Sequence, residues 1–268
     1  MSYARTTFAR DGLALALHTW SAAAPHTVVV YIHGTQSHAG WLFETGPALA
    51  RLGCIVYALD RRGSGESEGP RGHAESFRHW IDDYIAVMQH ARAQHPSLPL
   101  LLDGQSFGGA IAVAVAGDPR ALHDAAILVT PLIVSRVGFD LWKDVADDVP
   151  VRLPAPDEWF TTQPRYLEFI RDDKLMNRAV TRRFQQARLE LAQHYMALPA
   201  PLAGRPAALV VPRKDPMIDV ASARDVFAKL SGDTGIVVEL PATDHYLDFT
   251  PAREQLWRFK AAFARSVT

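Results

Sequence analysis

Short apolar runs bounded by turn residues recur along the chain, at residues 28–32, 54–59, 98–102, 125–129, 208–211 and 236–240. They are rich in β-branched residues and too short for helices, so strands buried on both faces of a sheet are expected. Helical periodicity fills several of the intervals. Between residues 75 and 94 the apolar positions Phe77, Ile81, Tyr84, Met88 and Ala91 advance by four, three, four and three, which draws one stripe along a helix. Strand and helix in alternation predict a parallel α/β sheet. The opening stretch from Tyr3 to Trp20 alternates on both sides of Asp11-Gly12, a turn pair, and reads as an antiparallel hairpin on the sheet edge.

The alternation stops after Pro131 and resumes near Ala207. In between, no good buried strand is evident, and Trp142, Trp159, Phe160, Tyr166 and Phe169 stand among prolines and charges. One helical stripe runs through Val180, Phe184, Ala187 and Leu191. The expected organisation is an α/β core from residues 1–130 and 203–268, interrupted by a mostly helical insertion over residues 131–202. No internal repeat or low-complexity tract is seen.

Composition narrows the function classes. A chain of 268 residues with 48% hydrophobic and 21% charged residues has the makeup of an ordinary globular protein, long enough to bury most of its unfolded surface. Its 28 Lys+Arg against 29 Asp+Glu leave a formal net charge of −1, so no field of one sign recruits nucleic acid. Cys54 is the only cysteine, which excludes an intramolecular disulfide and a cysteine zinc cluster. No apolar run approaches the length of a membrane span, and the first residues lack the basic-then-apolar order of a signal peptide. The expectation is a protein with no stable membrane insertion, with the cytoplasm as its default location.

The sharpest chemical signal is Gly104-Gln105-Ser106-Phe107-Gly108-Gly109, entered from an apolar strand and left through an Ala-rich helix. Small residues on both sides of a serine let the backbone turn tightly and present the hydroxyl at a helix N-terminus, the arrangement of a nucleophile elbow. A second strand, 28–32, ends in His33-Gly34-Thr35. The loop after such a strand and the residue after the nucleophile supply the two oxyanion amides in this arrangement, here those of Thr35 and Phe107. His33 itself is expected to fix its loop by hydrogen bonding. His33 and His38 form no metal set, because neither a carboxylate motif nor a His-Glu-x-x-His helix accompanies them.

A serine hydroxyl needs a histidine to take its proton and a carboxylate to orient that histidine. Asp215 lies just beyond the 208–211 run and His245 just beyond the 236–240 run, both at carboxyl ends of expected strands and in the order serine, acid, histidine. Asp219 is the rival acid. The stretch Asp60-Arg61-Arg62-Gly63-Ser64-Gly65-Glu66-Ser67 lacks the glycine spacing and following helix of a dinucleotide loop, and reads as a turn bracing the site.

With these pieces together, the chain resembles the α/β-hydrolases, and within them the monoacylglycerol lipases and bacterial lysophospholipase-like proteins. The likeness rests on His33-Gly34, the 60–67 turn, the elbow at Ser106, the loops of Asp215 and His245, and the stretches 169–173 and 181–184. It implies an eight-stranded, mostly parallel sheet flanked by helices with a helical cap, a Ser106, His245, Asp215 triad and no cofactor. The subgroup usually reads Gly-His-Ser-Met-Gly-Gly where this chain has Gln105 and Phe107 beside the serine. The activity expected from the site and the resemblance is carboxylic-ester hydrolysis through an acyl-enzyme, on monoacylglycerol- or lysophospholipid-type esters. Trp142, Trp159 and Phe160 would roof the acyl chain, and the implied partner is a small acyl ester with transient lipid contact. The same site also suits a biosynthetic thioesterase, cyclase or lyase. A non-catalytic ligand binder fits less well, since a receptor needs no triad.

Overall fold

The apolar runs pair because each leaves backbone amides and carbonyls that burial would orphan outside a sheet ladder. In the computed structural model, which describes residues 1–134, 140–232 and 234–266, they form one eight-stranded sheet. Its strands are β1 (Ser2–Arg10), β2 (Leu13–Ser21), β3 (Thr27–Ile32), β4 (Cys54–Leu59), β5 (Leu100–Gln105), β6 (Ala125–Val129), β9 (Ala207–Pro212) and β10 (Ile236–Leu240). The sheet order is β1-β2-β4-β3-β5-β6-β9-β10. The β1–β2 hairpin is antiparallel and joins β4 in antiparallel register, while every pair from β4 to β10 is parallel.

Because successive side chains point to opposite faces, β3 contributes Val28, Val30 and Ile32 to one apolar cluster and Val29 and Tyr31 to the other. Helices α2 (Phe77–Gln94), α3 (Phe107–Ala116) and α6 (Val220–Ser231) pack on the first face; α1 (Thr45–Arg51) and α7 (Arg253–Arg265) pack on the second. Ser76 starts α2 by accepting from the Arg78 amide at 3.2 Å.

Three details depart from the sequence reading. The strand expected at 98–102 begins at Leu100, because Pro99 has no amide to give the ladder and joins it only through its carbonyl, which accepts from the Val28 amide. The run 236–240 is a strand but is not buried on both faces: it lies at the sheet edge, with Ile236 46% and Val237 44% exposed. Between β6 and β9 the chain builds α4 (Pro164–Asp172) and α5 (Arg182–Met196), and also a short antiparallel ribbon of β7 (Pro150–Arg152) and β8 (Ala179–Thr181). Val180, expected at the head of the helical stripe, therefore belongs to β8, and Thr181 caps α5 by accepting from the Phe184 amide at 3.1 Å. Among the described residues no helix is long and apolar enough to cross a membrane.

Candidate active site

The strand β5 ends at Gln105 and α3 starts at Phe107, so a single residue makes the turn. Ser106 accomplishes this with φ 53° and ψ −121°, a region that costs a non-glycine residue on the order of 1–3 kcal/mol and persists only where the surroundings enforce it. The enforcement is visible. The Ser106 amide donates to Val129 at 2.9 Å, and its carbonyl accepts from the amides of Gly109 at 2.8 Å and Leu132 at 2.9 Å. The flanking glycines provide room: a Cβ on Gly104 would stand 2.5 Å from the Gly108 carbonyl oxygen, and one on Gly108 would stand 1.9 Å from that of Ile32.

His245, in the loop after β10, brings Nε2 to 2.8 Å from Ser106 Oγ. Its Nδ1 faces both oxygens of Asp215, Oδ2 at 2.8 Å and Oδ1 at 3.1 Å. A proton on Nδ1 donating to Asp215 leaves Nε2 free to accept from the serine hydroxyl, so this chain of contacts can move the Ser106 proton to the imidazole. Burial alone would raise the Asp215 pKa, but the His245 charge, its hydrogen bond and the amides of Met217 and Ile218 together hold it below the usual value. Asp219, the rival acid, is the N-cap of α6 and accepts from the Ser222 amide at 2.9 Å.

The loop after β3 runs beside the nucleophile. A Cβ on Gly34 would be 3.3 Å from that of Ser106, and Thr35 lines the same cleft. Phe107 opens α3, so its amide belongs to the first turn, where no carbonyl lies four residues back to receive it. His33 fixes this loop. Its Nδ1 donates to the Gly34 carbonyl at 2.9 Å and its Nε2 accepts from the Arg61 amide at 3.0 Å, which settles the neutral tautomer. Burial and the Arg61 charge hold its pKa well below the usual value. Arg61 donates to the carbonyls of His33 and Gly34, while Asp60 accepts from the amides of Ala39 at 2.6 Å and Glu66 at 2.8 Å. The 60–67 turn thus holds up the site without entering it.

Trp159 and Phe160 line the cleft, and the Phe160 ring stands edge-on to His245 at 6.2 Å. Trp142 does not line it: the indole is fully buried in the main core, donating to the Val180 carbonyl at 3.1 Å. The substrate role expected of Trp142 is therefore corrected to packing. Phe107 likewise turns its ring into the core, against Trp80 and Phe184. The cleft encloses about 680 Å3, mouth included, and its wall also holds Gln36, Gln105, Gln185, Arg188 and Met217, none of which the sequence reading singled out as a site residue. Gln185 and Arg188 sit three apart on α5 beside the Phe184, Ala187, Leu191 stripe, a polar pair whose position next to the buried face was the available signal.

Among the described residues one group has metal-capable spacing, His18, Asp60 and Glu66, with ligand atoms within 4.8 Å of one another. Its oxygens are committed to the turn: Asp60 accepts the two amides just named, and Glu66 pairs with Arg5 at 2.7 Å. His38, far from joining them, contacts Asp173 at 3.0 Å.

An eight-stranded sheet of this order, with a serine on a strained strand-to-helix turn, a histidine after the last strand and an acid after the one before it, defines the α/β-hydrolase class. A family model described as serine aminopeptidase, S33, matches residues 23–247. The chain belongs to that α/β-hydrolase family. It is 33% identical over 114 residues to a monoacylglycerol lipase of Mycolicibacterium smegmatis and 31% identical over 126 residues to the monoglyceride lipase of Rattus norvegicus. Those matches span 42% and 47% of this chain, and only 41% and 42% of the relatives' own lengths. Among solved structures, a soluble variant of monoglyceride lipase from Saccharomyces cerevisiae superposes with a TM-score of 0.86 at 16% identity, over 98% of this chain and 95% of that one. The Paleococcus ferrophilus monoacylglycerol lipase gives 0.82 at 17% identity, over 95% and 99%. At such identities the likeness establishes the fold.

Proposed function

We propose that this protein hydrolyses carboxylic esters through an acyl-enzyme on Ser106, with acyl esters of the monoacylglycerol and lysophospholipid kind as its substrates. The observation that carries the reading is that the His245 ring joins Ser106 Oγ, at 2.8 Å from Nε2, to Asp215 Oδ2, at 2.8 Å from Nδ1. His245 takes the serine proton as Oγ adds to the ester carbonyl, and the amides of Thr35 and Phe107 receive the oxyanion. The same imidazole then protonates the leaving alcohol; in the second half it takes a proton from water as the water oxygen adds to the acyl carbonyl, and returns it to Ser106 Oγ as the Oγ–acyl bond breaks and the carboxylic acid is released.

Residues 131–202 serve in this reading as a cap, supported by the cleft wall that Leu153, Trp159, Phe160 and Gln185 provide. Names of relatives that specify monoacylglycerol lipase support the acyl-ester preference. The family description also names an aminopeptidase, but an amino-terminal ammonium is held by carboxylates, and among the described residues no carboxylate lines the cleft.

The test is a hydrolysis panel running from short activated esters to long-chain monoacylglycerols, with Ser106→Ala as control. Turnover of the acylglycerols that falls by several orders of magnitude in the variant supports the reading. Equal turnover by both proteins overturns it.

A further inference from the structure

The cleft holds one charged lining residue among those described, Arg188 on α5. Its Nε donates to Gln185 Oε1 at 2.7 Å, one helical turn away. No carboxylate among the described residues comes within ion-pair distance of its guanidinium. Four neighbouring arginines differ. Arg178 meets Asp157 at 2.6 Å, Arg171 meets Glu158 at 2.6 Å, Arg183 meets Glu190 at 3.1 Å and Arg182 approaches Asp147 at 3.4 Å. Those arginines spend their charge on carboxylates, whereas Arg188, half-buried in the cleft wall, is left with its terminal amino groups unspent. Burial pulls its pKa below the usual arginine value, yet guanidinium remains charged under any condition a protein tolerates.

A partly desolvated cation without a partner costs folding free energy, so its place in the cleft wall points to a ligand that completes it. Planar guanidinium matches carboxylate and phosphate oxygens in a two-pronged geometry. Gln185 and Gln36 add neutral donors in the same wall, while Leu132, Phe160 and Met217 offer apolar surface for a hydrocarbon part.

We propose that the cleft is built for esters that carry an anionic group, a carboxylate or a phosphate, and that Arg188 binds that group while Ser106 meets the ester carbonyl. The proposal rests on the ester-hydrolase reading and names its substrate class. Arg188 is a specificity residue here and takes no part in bond making or breaking.

Two matched substrate pairs test it: the 4-nitrophenyl monoester of adipic acid against its methyl-capped neutral counterpart, and 1-acylglycerol 3-phosphate against 1-acylglycerol. The readout is the charged-to-neutral ratio of kcat/KM within each protein, in which any loss of folded fraction cancels. The wild-type ratio should exceed unity by about ten- to a hundredfold in at least one pair, the carboxylate or phosphate pair showing which anion is preferred. Arg188→Met should collapse that ratio toward unity, and Arg188→Lys should restore part of it. A wild-type ratio near one in both pairs, or a ratio unchanged by Arg188→Met, overturns the anion site while leaving Ser106-dependent hydrolysis standing. Should no ester be turned over, the hydrolase reading fails instead. Calorimetry with the adipate monoester on the wild type and Arg188→Met then decides the anion site: Arg188-dependent binding upholds it, and equal or no binding overturns it.

Discussion

The backbone amide of His245 donates to the carbonyl of Trp159 at 2.9 Å, and the next amide, Tyr246, donates to Phe160 at 2.9 Å. The segment that walls the cleft is thereby tied to the loop that carries the triad histidine. Asp244 completes the tie, its Oδ2 accepting from the amide of Thr162 at 3.0 Å and from its hydroxyl at 3.1 Å. Asp244→Ala should lower stability by about 0.5–1.5 kcal/mol, since it removes the acceptor shared by the Thr162 amide and hydroxyl. It should also reduce kcat several-fold as the His245 loop loosens. Thr162→Val keeps the amide bond and should do less on both counts. Thermal melts with steady-state kinetics on the two variants check this, and an unchanged kcat in Asp244→Ala would show that the tie is structural only.

Asp215 and Asp219 are separated by function. Asp215→Asn presents an amide where His245 requires an acceptor, and kcat should fall by about ten-thousand-fold through the wrong imidazole tautomer. Asp219→Ala removes the α6 N-cap and should cost about 1 kcal/mol in stability, with kcat within a few-fold of wild type. The reverse ranking of the two variants in kcat would assign the acid wrongly.

Much of this was legible before any coordinates, and the rest fails for identifiable reasons. Ser106 and the glycines around the elbow follow from local chain geometry, since a strand-to-helix turn through one residue dictates its neighbours, while His245 follows from chain order and its place beyond the last expected strand. Position in a sheet is non-local, so the apolar run at 236–240 could not declare itself an edge strand. Trp142 and Trp159 read alike in sequence, because an indole is as suited to a core as to a cleft, and only packing sends one to each. Arg188 carries no signal in the sequence because a single helical stripe marks the buried face and says nothing of the residue beside it.

The Asp60 carboxylate should leave a mark on acid stability. Burial would raise its pKa, but the neighbouring His18, whose Nε2 stands 3.5 Å from Asp60 Oδ2, brings it down to about 2, against an unperturbed 3.8. A depressed folded-state pKa means that the unfolded chain binds the proton more tightly. The contribution is then complete above the unfolded value and is lost as pH falls through the folded one, here between 3.8 and about 2. By linkage it amounts to about 2 kcal/mol. Denaturant melts from pH 7 downward should show Asp60→Asn less stable than wild type at neutral pH, with the gap narrowing over that window. A gap that widens on acidification would contradict the assignment.

Lys260 on α7 and Asp103 on β5 form a fully buried ion pair at 2.7 Å, three residues upstream of Ser106. Removing one partner strands the other in the core, so Lys260→Met should cost about 3–5 kcal/mol. The double variant Lys260→Met, Asp103→Leu removes both charges and should recover most of that loss. Urea unfolding of the single and double variants measures it; additive losses would mean that the two charges do not depend on each other.

The central claim is that Ser106 becomes acylated. Rapid mixing with a 4-nitrophenyl ester, quenching in acid within the first turnover and mapping the peptides by mass spectrometry reads this directly. The account requires a burst of nitrophenol and an added acyl mass on the peptide containing Ser106, both absent from Ser106→Ala. Turnover without that adduct, or an adduct and burst that survive in Ser106→Ala, would contradict it.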